Sequence, residues 1–192
     1  MLDIINVSKS FNKGTPIQKN ALIGLNLHLD KGDFVTVIGG NGAGKSTMLN
    51  AVAGVFNIDK GKIKIDGVDV TKTPEYKRAK YIGRVFQDPL KGTAGDMWIE
   101  ENLAFALRRG KTRSFKWGIS NKEREMFKDL LAPLDLGLEQ RLSAKVKLLS
   151  GGQRQALTLL MATIKEPKLL LLDEHTAALD PKTAKKVLNL TD

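Results

Sequence analysis

Residues 39–46 read Gly-Gly-Asn-Gly-Ala-Gly-Lys-Ser, and this stretch constrains the fold more than any other part of the chain. It matches the pattern G-x-x-x-x-G-K-[ST], which joins a β-strand to an α-helix. Residues 33–39 are short and β-branched, as expected of the strand, and residues 46–54 place apolar side chains at helical spacing. The chain is therefore predicted to contain a strand–loop–helix unit and to belong to the α/β class.

The residue types in this loop are those that bind phosphate. Glycines let consecutive backbone N–H groups turn inward around an anion, and the following helix points its positive end at the same place. Lys45 is expected to reach the β- and γ-phosphates, and the Ser46 hydroxyl is expected to bind Mg²⁺. The nucleotide-binding residues predicted here are Gly39, Asn41, Gly42, Ala43, Gly44, Lys45, Ser46 and Thr47.

A second motif, which is acidic, follows a run of four leucines at residues 169–172. This run is too short for a helix and is predicted to be a buried strand. Asp173 leaves its end, where a carboxylate can hold Mg²⁺. Glu174 comes next and can orient an attacking water, a role that contributes about 10²- to 10⁴-fold to a rate.

The pentapeptide LSGGQ at residues 149–153 opens a further predicted helix, at residues 152–165. Ser150 is a suitable N-cap, and the glycines again expose amides at a helix N-terminus. The turn is therefore a second candidate phosphate clamp, without a lysine of its own.

The remaining pattern divides into a strand-rich part and a helical part. Strands are expected at residues 2–7, 21–30 and 81–86, with a hairpin at residues 62–70 that turns at Asp66-Gly67. Helices are expected at residues 98–108, 122–131 and 181–190, with a shorter piece near residues 137–142.

In order and spacing, these motifs resemble those of the ATP-binding subunits of ABC transporters, and the resemblance covers essentially the whole chain. It implies an ATPase with ATP and Mg²⁺ as cofactors. It also implies a P-loop NTPase fold of the ABC type, with a mixed core sheet, an antiparallel β subdomain and an inserted α-helical subdomain. In this single domain, residues 1–87 and 151–192 would form the core and β subdomain, and residues 88–150 the helical subdomain.

The resemblance also implies roles by position. Phe11 would stack on adenine, and Gln87 would sense Mg²⁺ and water. Glu174, Gln87 and Lys45 would be catalytic, and Ser46, Gln87 and Asp173 would hold the metal. The residues expected to reach the nucleotide of a paired subunit, head to tail in a homodimer or with another ABC subunit, are Ser150, Gly151, Gly152, Gln153 and Asp180.

Two positions depart from the family pattern. His175 stands where many members carry proline, and we expect it to pack in a turn. The chain ends at Asp192, 12 residues after Asp180. The family's switch histidine lies beyond that point, so the C-terminal part of the usual domain is expected to be missing. We expect this chain by itself to keep the phosphate loop but to hydrolyse ATP poorly.

Composition limits the other functions. The chain has no cysteine and two histidines, which argues against disulfides, thiolate zinc sites and multi-histidine metal centres. It shows neither a signal peptide nor an apolar run of about 18 residues. We expect a cytoplasmic protein, peripheral on the inner face of the membrane. The resemblance implies a transmembrane permease as partner and, because a single cassette favours import, a solute-binding lipoprotein.

The net charge of +10 leaves alternatives open. Residues 108–117 carry five cations and no acid, and suit a solvated loop, nucleic acid, or lipid headgroups and a permease. The resemblance favours the permease or headgroups, and no nucleic acid is expected. The alternative function is a soluble ABC ATPase acting on nucleic acid or ribosomes, but the chain lacks long heptads and a second cassette. LSGGQ argues against a P-loop kinase or GTPase.

Overall fold

The computed structural model describes residues 1–86, 88, 90–111 and 118–173, and these fall into two compact units that divide between Ile82 and Gly83. The first unit contains β1 (Leu2–Phe11), β2 (Lys19–Leu29), α1 (Lys45–Ala53), β3 (Lys60–Ile65), β4 (Val68–Asp69) and α2 (Glu75–Arg78). The boundary falls within β5 (Ile82–Val85). The second unit continues with α3 (Ile99–Leu107), α4 (Asn121–Leu131), 3₁₀ turns at Ala132–Leu134 and Val146–Leu148, α5 (Gly151–Thr163) and β6 (Leu169–Leu172).

An antiparallel sheet with strand order β2-β1-β3-β4 forms most of the first unit. Its buried face carries Ile4, Val7, Ile63 and Ile65. The β3–β4 hairpin turns at Asp66 and Gly67, whose φ angles of 52° and 78° are the pair that a tight hairpin requires. The hairpin expected at residues 62–70 is confirmed.

Helix α1 is bounded by glycines that its surroundings require. Gly44 is the N-cap, and Gly54 ends the helix with φ 85° while its N–H bonds to the carbonyls of Asn50 and Ala51. A Cβ atom on Gly54 would lie 2.7 Å from Nε of Arg78. Both the positive φ and the close approach therefore call for glycine.

Arg78 is 2% exposed and fills the space behind the end of α1. Its guanidinium donates hydrogen bonds to the carbonyls of Ala51 and Val52 at 2.9 and 2.8 Å. It also donates to the carbonyls of Thr73 and Thr71 at 2.7 and 3.1 Å. Burial lowers the pKa of this guanidinium. Arg78 therefore satisfies the last carbonyls of α1 with a cation at the helix's negative end.

The second unit is built on helices and a two-stranded sheet of β5 and β6. Its apolar core includes side chains from every helix and from the turns between them. Fully buried members are Ile99, Leu103, Phe127, Leu131, Leu134, Leu138, Val146, Leu157 and Leu159. Arg124 of α4 binds the buried Glu100 of α3 at 2.7 Å, so these two helices are also joined by an ion pair.

Two expected elements are wrong. Residues 137–142 are turns, because Asp135 and Gly137 adopt φ 53° and 67°, which breaks a helix before Leu138 enters the core. Residues 33–39 are not a strand, because no described strand supplies the hydrogen-bonding partner that its composition anticipates. Phe34 and Ile38 are consequently 77% and 89% exposed. The helix expected at residues 181–190 lies outside the described residues.

His28 and Asp3 face each other across β1 and β2 as Cα partners. His28 Nδ1 lies 2.6 Å from Oδ1 of Asp3, and its Nε2 lies 3.3 Å from Oδ1 of Asp30. The hydrogen bond to Asp3, followed by the one to Asp30, raises the pKa of His28, and the same bond to His28 lowers the pKa of Asp3. This histidine is thus a surface cross-strand pair partner, as expected of a structural residue.

We expect Arg78→Met to destabilise the first unit. The change removes hydrogen bonds to four carbonyls, two of them buried and two partly buried, which costs about 2–4 kcal/mol of unfolding free energy. Urea unfolding followed by circular dichroism measures it. The control is Lys77→Met, which removes an exposed cation from the same helix, α2. Equal urea midpoints for the two variants would mean that the hydrogen bonds of Arg78 do not stabilise the first unit.

We also expect the stabilisation by His28 to depend on pH. A raised pKa in the folded state gives stability that is present below about pH 6.5 and is lost as pH rises through the folded pKa. The lowered pKa of Asp3 acts in the opposite sense, and its contribution is lost as pH falls below about 4. The stability difference between wild type and His28→Gln should therefore be larger near pH 5.5 than near pH 8. An unchanged difference in urea midpoints would count against this.

Candidate nucleotide-binding site

The glycine-rich loop at residues 39–46 lies on the surface of the first unit, with Asn41, Gly42 and Ser46 exposed. Gly42 and Gly44 adopt φ angles of 82° and 93°. A Cβ atom on Gly44 would lie 2.6 Å from the backbone carbonyl oxygen of Ala21 on β2. The loop therefore passes against β2 at a distance that no side chain permits, and α1 begins directly after it.

Lys45 folds back over this loop. Its Nζ donates to the carbonyl oxygens of Gly39 and Gly40, at 2.5 and 3.2 Å. The ammonium is thereby held over the loop whose amides are expected to bind phosphate. An incoming phosphate can replace these neutral carbonyl acceptors with anionic ones, so that both partners of the hydrogen bond are ionised.

Two further side chains lie beside the loop within the first unit. Lys19 Nζ is 3.5 Å from the point where a Cβ atom on Gly42 would stand. Lys19 is also the Cα partner of Phe11 across β1 and β2. The phosphate loop at Gly42 therefore lies next to Lys19, and Lys19 is paired with Phe11, whose ring is half-buried.

In the second unit, the LSGGQ turn is fixed by a reciprocal cap. Ser150 Oγ accepts a hydrogen bond from the backbone N–H of Gln153 at 3.2 Å. Gln153 Oε1 accepts from the backbone N–H of Ser150 at 3.0 Å, and its Nε2 donates to the carbonyl of Leu136 at 3.1 Å. The predicted N-cap is confirmed. The Gln153 side chain is used inside the protein, whereas Ser150 and Gly151 are exposed.

Arg154 supports the same turn from behind. Its guanidinium donates to the carbonyls of Val146, Lys147 and Leu149, at 3.2, 3.1 and 3.4 Å. The three carbonyls lie in the segment that enters the turn, so the arginine ties that segment to the first turn of α5. The sequence analysis did not identify this residue, although its position directly after LSGGQ is a usable signal.

The helices that follow the two glycine turns differ from the other helices in the charge of their first turn. Among the described α-helices, α1 and α5 have no acidic residue in the first turn. The others carry Glu75 in α2, Glu100 and Glu101 in α3, and Glu123 in α4. Acids at these positions normally offset the positive helix end. At α1 and α5 that end stays uncompensated, which suits an anionic ligand.

The donors available for a cation are hard oxygen atoms. Ser46 has an exposed hydroxyl in the first turn of α1. Asp173 follows β6, and its N–H donates to the carbonyl of Val85 on β5 at 3.1 Å. Within the described residues no group of three or more acidic or histidine side chains is gathered. Each is a hard oxygen donor of the kind that Mg²⁺ prefers, since Mg²⁺ keeps several waters and binds one or two protein oxygens together with phosphates.

Several predicted residues fall outside the described part of the chain. These are Gln87, Glu174, His175 and Asp180. Their roles remain predictions.

The basic segment at residues 108–117 is partly engaged within the second unit. Arg108 donates to the carbonyl of Gly118 at 2.7 Å and pairs with Glu123 at 3.1 Å. Arg109 donates to the carbonyl of Ala162 at 3.0 Å, and burial lowers its pKa. These two arginines therefore have structural partners, while residues 112–117 lie outside the described part. Within that part, no helix combines the length and the apolar character that crossing a bilayer requires.

The aromatic ring of Phe11 has a supporting cluster that the sequence analysis missed. It consists of Lys9, Phe56 and Asp59. Lys9 lies two residues before Phe11, on the same face of β1, so strand periodicity could have suggested it. Phe56 follows α1, and no local pattern links it to β1.

Comparison with known proteins supports the interpretation of these motifs. Residues 22–177 match the family model described as "ABC transporter". The chain is 45% identical over 192 residues to the tyrosine transport ATP-binding protein of Clostridioides difficile, covering all of this chain and 76% of that protein. It is 36% identical over 187 residues to the spermidine/putrescine import ATP-binding protein of Haemophilus influenzae, covering 97% of this chain and 46% of that protein.

Solved structures show the same fold. A dimeric ATP-binding cassette in a post-hydrolysis state, bound to ADP and Pi, matches with a TM-score of 0.84 and 29% identity, covering all of this chain and 81% of that one. Another dimeric bacterial ABC transporter cassette matches with a TM-score of 0.82 and 30% identity, at the same coverage. The expected fold class is confirmed. The chain belongs to the ABC transporter family and is an ATP-binding cassette of the ATPase type.

Proposed function

We propose that this ATPase powers the import of a small solute through a separate transmembrane permease. The observation that carries the proposal is the pair of glycine turns, each leading into a helix whose positive end has no compensating acid. Relatives named for tyrosine transport, spermidine/putrescine import and phosphonate import support the direction and the kind of cargo. The tyrosine relative, similar over the whole chain, favours an amino acid.

The phosphate loop would hold the nucleotide through this chain's own groups. Backbone amides from Gly42 to Thr47 would bind the phosphate oxygens, and Lys45 would leave the carbonyls of Gly39 and Gly40 for the β- and γ-phosphates. Ser46 and Asp173 would hold Mg²⁺, which when bound neutralises charge on the phosphates. Gln87 would sense the metal and water, and Glu174 would orient the attacking water.

The second turn would act on the nucleotide of a paired subunit. The hydroxyl of Ser150 accepts from Gln153, so its own hydrogen stays available to donate to a phosphate oxygen. The backbone N–H groups of Gly151, which is exposed, and Gly152, which is half-buried, would donate alongside it. The dimeric cassettes among the similar structures support pairing. The head-to-tail arrangement, with Asp180 at the interface, is part of the proposal.

The proposed location of the subunit in the cell follows from its proposed partner, the permease. The subunit would lie on the inner face of the cell membrane, bound to the permease, and a solute-binding lipoprotein would deliver the cargo from outside. We infer that the cations of residues 111–116 meet headgroups or the permease, whereas Arg108 and Arg109 are partnered inside the chain.

We expect Lys45→Met to lose ATP binding and transport together. Removing one charge-assisted contact of about 1.5–3 kcal/mol weakens binding about 10- to 150-fold. A fluorescent ATP analogue measures binding, and uptake of labelled tyrosine in cells lacking the gene measures transport. The control is Lys31→Met, an exposed lysine with the same charge. Uptake restored by Lys45→Met as well as by wild type would refute the proposed function.

We expect Gln153→Glu to weaken ATP-dependent pairing without unfolding α5. A glutamate still accepts from the N–H of Ser150, but it cannot donate to Leu136 and places a negative charge at the helix end. A penalty of about 1.4 kcal/mol lowers the pairing constant tenfold. Analytical ultracentrifugation with ATP, in a Glu174→Gln background that stops hydrolysis, measures this.

The matched control for this variant is Glu123→Gln. It makes the reverse exchange in the equivalent cap of α4, where Ser120 and Glu123 bond reciprocally. We expect it to leave pairing unchanged. Equal pairing constants for wild type and Gln153→Glu would mean that the neutral amide has no part in nucleotide binding.

A further inference from the structure

The ring of Phe11 is held by two neighbours in the first unit. Phe56 meets it edge-on, with ring centroids 5.3 Å apart and planes at 85°. Lys9 Nζ lies over both rings, 5.3 Å from the centroid of Phe11 and 5.1 Å from that of Phe56. Edge-to-face packing and a cation over an aromatic ring are both favourable and orientation-dependent contacts.

Lys9 is itself fixed. Its side chain is only 15% exposed, and its Nζ donates to the carbonyl of Asn57 at 2.7 Å and lies 3.7 Å from Asp59. Asp59 is anchored in turn, because its carboxylate accepts from the N–H of Ser10 at 2.7 Å. That backbone bond, followed by Lys13, lowers the pKa of Asp59 and keeps the carboxylate charged. Enclosing a lysine this far has a desolvation cost, which these partners offset.

We propose that Lys9 and Phe56 are positioning residues that hold the Phe11 ring as a preformed support for the nucleotide base. The inference rests on the proposed function, in which Phe11 stacks on adenine. Phenylalanine has no polar atom with which to fix its ring, so neighbours must do it. The edge of Phe56 sets the tilt of the ring, and Lys9 occupies one face.

The position of the ring supports this role. Phe11 is paired through its Cα with Lys19, and the ammonium of Lys19 lies beside Gly42 of the phosphate loop. A nucleotide with its phosphates in that loop would therefore extend past Lys19 toward the ring of Phe11. A ring that is ordered before binding loses less freedom when the base stacks on it, so the support improves affinity without touching the ligand.

The test compares two lysines that share one carboxylate. Lys13 also pairs with Asp59, at 3.0 Å, but it is 58% exposed and contacts neither ring. Lys9→Met and Lys13→Met therefore remove the same charge and the same kind of ion pair, and only the first removes the ring contact. Isothermal titration of each variant with ATP and with inorganic tripolyphosphate separates the contribution of the nucleoside from that of the phosphates.

We expect Lys9→Met to lower the preference for ATP over tripolyphosphate about 3- to 10-fold, a part of the roughly 5- to 150-fold that a whole stacked base supplies. Its tripolyphosphate affinity should stay within about twofold of wild type, since the phosphate loop is unchanged. Phe56→Leu should lower the same preference while leaving the Lys9–Asn57 bond in place. Lys13→Met should change neither affinity. Thermal unfolding checks that each variant is folded.

Phe11→Ala separates the inference from the function on which it rests. If Phe11→Ala lowers the ATP preference but Lys9→Met and Phe56→Leu do not, the positioning role is wrong and the base contact stands. If Phe11→Ala leaves the preference unchanged, the base contact itself is wrong, and the positioning role falls with it. If Lys13→Met acts as strongly as Lys9→Met, the effect is one of charge and the positioning role is again overturned.

Discussion

Helix α1 is held at both ends by contacts that only glycine permits, and the rest of the first unit depends on them. At its start, Gly44 lies against the carbonyl of Ala21 on β2, and at its end Gly54 lies against the guanidinium of Arg78. A side chain at either position would meet these groups, so the two glycines let α1 lie close to β2 and to Arg78. Its N-terminal amides are therefore fixed in space before any ligand arrives, which is the condition for binding phosphate without reorganisation.

The two glycine turns share one electrostatic arrangement, although they lie in different units. Each starts a helix whose first turn has no acid, and each of these helices is tied by an arginine: Arg78 binds carbonyls at the C-terminal end of α1, and Arg154 binds carbonyls of the segment that enters α5. Both arginines donate to carbonyl oxygens and so stabilise the backbone, while the amides at the helix N-termini stay available to bind phosphate. In the proposed head-to-tail pairing, a triphosphate would lie between the phosphate loop of one chain and the LSGGQ turn of the other, so pairing and nucleotide binding are expected to be one event.

Local sequence predicted the elements whose signals are themselves local. The loop pattern, the Asp66-Gly67 turn and the Ser150 cap depend on residues a few positions apart, and each formed where expected. The helix predicted at residues 137–142 is wrong because Asp135 and Gly137 adopt left-handed conformations, which outweigh the helical spacing of the apolar residues. The strand predicted at residues 33–39 is wrong because β-branched composition indicates that a segment suits a sheet surface, but it does not say which strand pairs with it. The cluster around Phe11 could be anticipated only through Lys9, its neighbour on the strand.

The family resemblance alone implied a second chain at the LSGGQ turn. The sequence by itself determined the phosphate chemistry through its glycines and Lys45, and it supplied candidate oxygen ligands for Mg²⁺. These assignments need only residue identity and short spacing, because a phosphate-binding loop is built from consecutive backbone amides. The tertiary structure alone decided what holds that chemistry in place, including the guanidinium behind α1, the use of Gln153 inside the protein and the two side chains that fix Phe11. Those contacts join residues far apart in the chain, where only packing brings them together.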